Sequence, residues 1–202
     1  MNIVELCEQM FDKSVIDYHK TDDVDAVMPT YADVTGFALL LYKKNWVDAV
    51  QWHLEDIIRD PEIDPVEALA LKRRIDRSNQ VRTDMVEQID DYFLQNTFAG
   101  VTPKADAKVN TESPAWAIDR LSILVLKIYH MQEQIERNDA SEEHIKKCAN
   151  KLAVLKEQYT DLTQSIKELL DDIQKGEKRM KVYRQMKMYN DTDTNPVLYG
   201  KK

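Results

Sequence analysis

Two consecutive stretches decide the fold: Ser113 to Met131, SPAWAIDRLSILVLKIYHM, and Ser141 to Ile173, SEEHIKKCANKLAVLKEQYTDLTQSIKELLDDI. The first opens with a typical helix N-cap residue and a proline, and it is apolar almost all round, which predicts a central helix of a bundle. The second opens with another N-cap serine and carries apolar residues at spacings of three and four through four heptads. The short connection between the two predicts a long antiparallel, coiled-coil-like hairpin.

The composition of the whole chain agrees with long helices. The chain has 202 residues, of which 43% are hydrophobic, but only 4 are Gly and 6 are Pro, so signals for tight turns are few. No segment shows convincing strand alternation. We therefore expect an all-α bundle of five or six helices in a single helical domain spanning residues 1–202. Within it we expect N-terminal helices in 1–98, the hairpin in 113–175 and a tail in 190–202.

Apolar residues at helical spacing predict two helices near the N-terminus. The first extends from Ile3 to Tyr18 and ends near His19. The second begins near Phe37 and ends before Pro61. Asn45, followed three residues later by Asp48, has the spacing of a helix cap, so we expect this second helix to be kinked near Asn45.

Asp64 and Pro65 provide a strong start signal for a third helix, which continues to about Asn96. The stretch Ala99–Thr111, with a glycine and a proline among small residues, is the clearest loop. After the hairpin, the basic segment Lys178–Lys187 alternates cations with tyrosine and methionine. This pattern is compatible with RNA stacking, but the acidic balance of the chain favours a packed C-terminal helix.

Charge and cysteine content exclude several classes of function. The net charge is −8 and the pI is about 5.1, which argues against a general affinity for nucleic acids or anionic lipids but leaves local basic clusters open. Its apolar runs are too short to insert into a membrane. The two cysteines, Cys7 and Cys148, lie far apart, which predicts unpaired thiols and a cytoplasmic protein. The common sequence motifs of nucleotide-binding proteins, hydrolases and metalloproteases are missing. The sequence leaves the oligomeric state open.

Polar residues interrupt the apolar stripe of the second helix. His53, Asp56 and Asp60 share one side of it at spacings of three and seven residues. A histidine and carboxylates in this arrangement could bind a divalent metal ion or transfer a proton. The alternative is a core histidine that is hydrogen-bonded to a neighbouring carboxylate.

Polar residues also interrupt the stripes of the third and fourth predicted helices. Asn79 and Arg82 occupy successive stripe positions, and a buried Arg82 requires a carboxylate partner or an anionic ligand such as phosphate. Asp119 lies on the otherwise apolar fourth helix, close to the face of Ser122 and His130. Arg120 lies beside it on another face.

We expect the polar residues of these three helices to converge in one interhelical cluster made of His53, Asp56, Asn79, Arg82 and Asp119. In a functional site, His53, Asp56 and Asp119 would be the catalytic residues, and Asn79, Arg82 and Arg120 would bind the ligand. The candidate metal ligands are His53, Asp56 and Asp60. A purely structural ion-pair network is the alternative.

Several strings resemble the bacterial family called domain of unknown function 4254. They are NWVD at 45–48, QWHLEDIIRD at 51–60, NQVRTD at 79–84 and SPAWAIDRLSIL at 113–124. The string DRLSIL at 119–124 also resembles a second uncharacterised bacterial family, linked to lipopolysaccharide synthesis. Relatives in these families are encoded beside envelope glycosyltransferases, so the resemblances imply a pathway but no reaction, and they assign no catalytic residue. Two functions follow as hypotheses: a protein that acts on a phosphorylated sugar or nucleotide, or a helical adaptor that binds a glycosyltransferase.

Overall fold

The computed structural model describes residues 2–186, 188 and 191–200, and this part of the chain is predominantly helical. It contains six α-helices, one π-helical turn and two strands of two residues each. The elements are α1 (Ile3–Tyr18), α2 (Gly36–Ile57), α3 (Pro65–Tyr92), the π-helical turn (Phe93–Thr97), β1 (Lys108–Val109), α4 (Pro114–Glu136), α5 (Glu142–Gln174), β2 (Lys178–Arg179) and α6 (Pro196–Tyr199). The predicted all-α bundle is confirmed.

Helix α4 lies at the centre of the bundle, as its apolar sequence predicted. It contacts α1, α2, α3 and α5, and it forms the long hairpin with α5. Its residues Ile118, Leu121 and Leu126 are completely buried. Neither cysteine of the chain forms a disulfide bond, which confirms that prediction. No described helix is long and apolar enough to cross a membrane.

Asp64, Ser113 and Ser141 lie at the N-terminal caps of their helices, as predicted, but their side chains do not all cap the helix by the same hydrogen bonds. The side chain of Asp64 accepts hydrogen bonds from two backbone N–H groups of α3, and Ser141 accepts one in α5. Ser113 occupies the N-cap position of α4, but its hydroxyl donates to Asp90 on α3 instead, at 2.6 Å. Asp90 in turn accepts a hydrogen bond from the N–H of Ala115, so a neighbouring helix supplies the cap.

Helix α2 is continuous from Gly36 to Ile57, so no new helix begins at the cap-like spacing of Asn45 and Asp48. The spacing of Asn45 and Asp48 resembled a cap because both residues are polar. In the structure both side chains are buried and bond to partners across the bundle. The tertiary contacts, and not a new helix start, explain why polar residues stand there.

The segment after the hairpin is not a helix, which corrects the prediction for Lys178–Lys187. It begins with β2, which pairs with β1 in parallel, and continues without regular structure to residue 186; Lys187 lies outside the described residues. Tyr183 and Met186 are 69% and 84% exposed, whereas Met180 is partly buried against the core. Arg184 holds it against α3 by ion pairs to Glu87 and Asp91.

Candidate functional site

Four charged side chains from three helices meet in the interior, and we call them the charged network: Lys44 and Asp48 of α2, Arg82 of α3 and Asp119 of α4. Nζ of Lys44 lies 2.6 Å from Oδ1 of Asp119 and also pairs with Asp48. Arg82 donates from Nε to Asp48 at 2.5 Å and from Nη2 to Asp119 at 3.1 Å. Each cation therefore contacts both carboxylates.

The charged network is balanced and well supplied with hydrogen bonds. Two cations face two carboxylates, and the side chains of Lys44 and Asp48 have no exposed surface. The hydroxyl of Ser122 donates to Asp48 at 2.6 Å, and Asn45 donates to that hydroxyl at 2.9 Å. Burial lowers the pKa of Arg82, but the two carboxylates raise it by more, so its pKa lies above the ordinary value. These features are typical of a structural ion-pair network.

The structure brings together some of the residues expected to converge and separates others. Asn79 Oδ1 accepts from Arg82 Nη1 at 3.4 Å, so Asn79, Arg82 and Asp119 do meet. Asp56 lines a cleft beside Arg82. His53 lies in a separate cluster, so the prediction that all five residues meet is wrong for His53. Lys44 and Asp48 complete the network but had not been expected in it.

Three of the four histidines of the chain come together at one end of α1, and we call them the histidine cluster: His19, His53 and His130. One ring nitrogen of each lies within 4.8 Å of those of the other two. The Nε2 atoms of His19 and His53 are 3.3 Å apart. His19 follows the last turn of α1, His53 belongs to α2 and His130 to α4. Elements far apart in sequence therefore build the cluster.

Hydrogen bonds at the far sides of two rings orient the cluster. His19 Nδ1 lies 2.7 Å from the carbonyl oxygen of Val15, an acceptor that requires the proton on Nδ1 and leaves a lone pair on Nε2. His130 Nδ1 lies 2.8 Å from a carboxylate oxygen of Glu133. His130 Nε2 is buried and has no hydrogen-bond partner in the described part of the chain.

Aromatic rings enclose the histidine cluster. Tyr129 stacks on His19 with ring centroids 4.1 Å apart, and Trp52 stacks on His130 at 4.8 Å. Burial among these groups lowers the pKa of His19 and of His53, which favours the neutral imidazole. Neutral imidazole is the form that binds metals.

The predicted metal set of His53, Asp56 and Asp60 is not assembled. Helix α2 ends at Ile57, so Asp60 lies in the following turn and the helical spacing does not extend to it. The group of potential metal ligands found within the described residues is the histidine cluster. The side chain of Arg120 is 67% exposed and pairs with Glu112, and Arg120 lines a further cleft together with Asp119 and Lys127.

A comparison with family models matches residues 38–182 to the family described as protein of unknown function DUF4254. The chain belongs to the DUF4254 family. No curated protein and no solved structure matches it. The matched range of this DUF4254 chain contains the whole charged network together with His53 and His130, while His19 precedes it.

Two adjoining clefts on this DUF4254 chain share Trp52 and Asp56, and we call them together the α2–α4 depression. The first, of about 290 Å³, also reaches Arg59 and Arg82. The second, of about 480 Å³, also reaches Lys127 and His130. One cleft therefore borders the charged network, and the other borders the histidine cluster. Concave surfaces with a few convergent polar groups are the usual location of small-molecule sites.

Proposed function

We propose that this DUF4254 protein binds a phosphorylated sugar or nucleotide in the α2–α4 depression, as an enzyme or ligand-binding accessory factor. One observation carries the proposal: two clefts that share Trp52 and Asp56 place an indole ring, three cations and carboxylate oxygens close together. Such a ligand needs these groups, because its ring or base packs on an aromatic side chain and its phosphate pairs with cations.

Lys127 is the cation best suited to an incoming phosphate. Its side chain is exposed at the second cleft, and it forms no ion pair within residues 2–186, 188 and 191–200. Arg59 pairs with Glu55, and Arg82 is fully engaged in the charged network. Lys127 can therefore bind an anion without breaking an existing pair.

Trp52 and Asp56 supply the complementary contacts. One face of the Trp52 ring packs on His130, which fixes the indole between the two clefts. The exposed carboxylate of Asp56 lies in both clefts, where it can accept hydrogen bonds from sugar hydroxyls. An aromatic ring flanked by a carboxylate and a cation provides recognition for both parts of a sugar phosphate.

The pathway in this proposal is bacterial envelope glycan synthesis of the lipopolysaccharide type, and the compartment is the cytoplasm. The pathway is supported by the resemblance of residues 119–124 to a family linked to lipopolysaccharide synthesis. The compartment is supported by two buried, unpaired cysteines, which fit a reducing environment.

Isothermal titration calorimetry with UDP-glucose, UDP and glucose 1-phosphate tests the proposal. We expect at least one of them to bind with a stoichiometry of one, and neutral glucose to bind far more weakly. Lys127→Gln and Trp52→Leu should each weaken binding at least about tenfold, a loss of about 1.4 kcal/mol. The matched control is Lys147→Gln, which removes an exposed lysine from α5 and should leave binding unchanged.

Failure of all three compounds to bind the folded wild-type protein would contradict the proposal. Equal losses in Lys127→Gln and Lys147→Gln would also contradict it, because they would show non-specific attraction to positive charge. Binding of inorganic phosphate as tightly as glucose 1-phosphate would exclude recognition of the sugar.

The balanced charged network favours a second function, that of a non-catalytic helical adaptor that binds a glycosyltransferase. A network in which each cation already contacts two carboxylates has a structural role without any ligand. An adaptor would form a stoichiometric complex with a glycosyltransferase in size-exclusion chromatography. Such a complex, unchanged by Trp52→Leu and accompanied by no small-molecule binding, would replace the first function by the second.

A further inference from the structure

The spacing of the histidine cluster matches the needs of a metal ion. Ligand nitrogens about 2.0 to 2.1 Å from a tetrahedral zinc ion lie about 3.4 Å from one another. The Nε2 atoms of His19 and His53 are 3.3 Å apart. The third nitrogen, from His130, lies within 4.8 Å of the others, so the separations exceed the tetrahedral value by at most about 1.4 Å.

The hydrogen bonds behind the rings follow the pattern of metal-binding histidines. A metal-bound imidazole commonly donates its other N–H to a carbonyl or a carboxylate, which fixes the ring and the tautomer. His19 has the carbonyl of Val15 in this position, and His130 has the carboxylate of Glu133. Both rings therefore direct an Nε2 lone pair away from these partners.

The unpartnered ring nitrogen of His130 is an independent indication of a binding site. Its Nε2 atom is buried and has no partner in the described structure, a state that costs free energy when it is not relieved. Trp52 packs against the ring and prevents it from turning towards solvent without loss of that stacking. An ion between the three rings would bind this nitrogen.

We propose that His19, His53 and His130 bind one divalent transition-metal ion of the zinc type. Three neutral imidazoles suit Zn²⁺ and similar ions, whereas Mg²⁺ and Ca²⁺ prefer oxygen ligands. Three protein ligands leave a fourth position open, as in catalytic zinc sites where water occupies it. Asp22 Oδ1 lies 3.5 Å from His53 Nε2 and is 59% exposed, so this carboxylate marks the solvent side of the site.

This site goes beyond the proposed ligand function and stands on the histidine geometry alone. His130 also lines the α2–α4 depression, so the ion lies beside the proposed ligand. The alternative is that one ring N–H of the His19 and His53 pair simply donates to the other, with no ion present. Metal binding by the protein without any sugar or nucleotide separates these cases.

Titration of the chelator-treated protein with Co²⁺, followed by visible absorption spectroscopy, tests the proposal. We expect one ion per chain, with the intense bands of tetrahedral coordination, and displacement of Co²⁺ by Zn²⁺. His53→Ala and His130→Ala should abolish these bands. His144→Ala is the matched control, because His144 is the remaining histidine of the chain and lies on α5 outside the cluster.

Glu133→Gln provides a second variant that does not depend on removal of a buried ring. Its side chain is 46% exposed, so we expect the variant to fold. The affinity for Zn²⁺ should fall about 10- to 100-fold, the usual effect of removing the carboxylate behind a metal-bound histidine. Absence of tetrahedral Co²⁺ bands in the folded wild type would overturn the proposal. Equal affinity of wild type and Glu133→Gln, or loss of the bands in His144→Ala, would also overturn it.

Discussion

Nζ of Lys44 lies 2.6 Å from Oδ1 of Asp119, and the lysine side chain that makes this contact has no exposed surface. The ammonium also pairs with Asp48, one turn along the same helix. Lys44 therefore connects α2 to α4 and neutralises part of the charge of two carboxylates in the interior. A buried ammonium is stable in such a position because its partners are within hydrogen-bond distance.

We predict that Lys44→Met lowers the free energy of unfolding by about 3 to 5 kcal/mol, the usual cost of removing one partner from a buried ion pair. The two carboxylates would retain Arg82 as their only cation in the network. Urea unfolding followed by circular dichroism measures the effect. Lys43→Met removes a neighbouring exposed lysine and should change the free energy by less than about 0.5 kcal/mol. Equal effects of the two substitutions would contradict a structural role for Lys44.

Arg82→Ala should lower the free energy of unfolding by about 3 kcal/mol, the lower end of the range for a broken buried pair. The lower end applies because 20% of the Arg82 side chain is exposed and Lys44 remains to neutralise charge. Arg120→Ala, at an exposed position, is the control and should be nearly neutral. An unchanged free energy in Arg82→Ala would show that the arginine is available for a ligand and not required by the fold.

Acidification should destabilise the metal-free protein through the histidine cluster. Burial holds the pKa of His19 and His53 below the ordinary value near 6.5, so the unfolded chain binds protons first as the pH falls. Stability from these groups is constant above about pH 6.5 and decreases below it. Thermal unfolding at pH 7.5 and pH 5.5 should show a smaller decrease in His53→Gln than in the wild type. The same decrease in both proteins would argue against this origin.

Asp90 should produce the opposite dependence. Burial raises the pKa of Asp90 to about 6, although hydrogen bonds from Ser113 and Ala115 oppose the change. The folded state therefore binds a proton more readily than the unfolded state, and stability from this group decreases as the pH rises from about 4 to about 6. Over this range the wild type should lose about 2 to 3 kcal/mol relative to Asp90→Asn.

Urea unfolding at about pH 4.5 and pH 7 measures this difference between the wild type and Asp90→Asn. Asp84→Asn, at an exposed position of the same helix, is the control and should show little pH-dependent difference. A difference between the wild type and Asp90→Asn that stays constant with pH would show that Asp90 does not titrate in this range.

Local sequence signals predicted most helix positions. The pairs Asp64-Pro65 and Ser113-Pro114 placed the starts of α3 and α4 correctly, because caps depend on neighbouring residues. The cap-like spacing at Asn45 does not mark a helix start, because a partner 77 residues away explains the polarity of Asn45. The prediction of a helix in the C-terminal segment was wrong for a similar reason. Arg184 in this segment pairs with Glu87 and Asp91 of α3, which lie far from it in sequence.

The candidate site was only partly predictable. The stripe position of Arg82 correctly indicated carboxylate partners, and Asp119 was among those expected. The sequence did not predict burial of Lys44, because a lysine near the middle of a helix is usually exposed. Asp48, four residues later, was nevertheless at the right spacing for an ion pair with it. The sequence identified His19 only as the residue near which the first helix ends. Its proximity to His53 and His130 depends on helix packing, which the spacing of residues along one helix does not encode.

The parallel pairing of β1 with β2 has a consequence for the order in which the chain folds. The backbone N–H of Lys108 donates to the carbonyl of Glu177 at 3.0 Å, and the whole α4–α5 hairpin separates these two residues. So small a pair of strands offers too few hydrogen bonds to offset the entropy of closing so long a loop. We therefore expect the hairpin to fold first, bring the two strands together and let them pair last. A chain cut in the turn between α4 and α5 would have to associate as two fragments before these strands could meet.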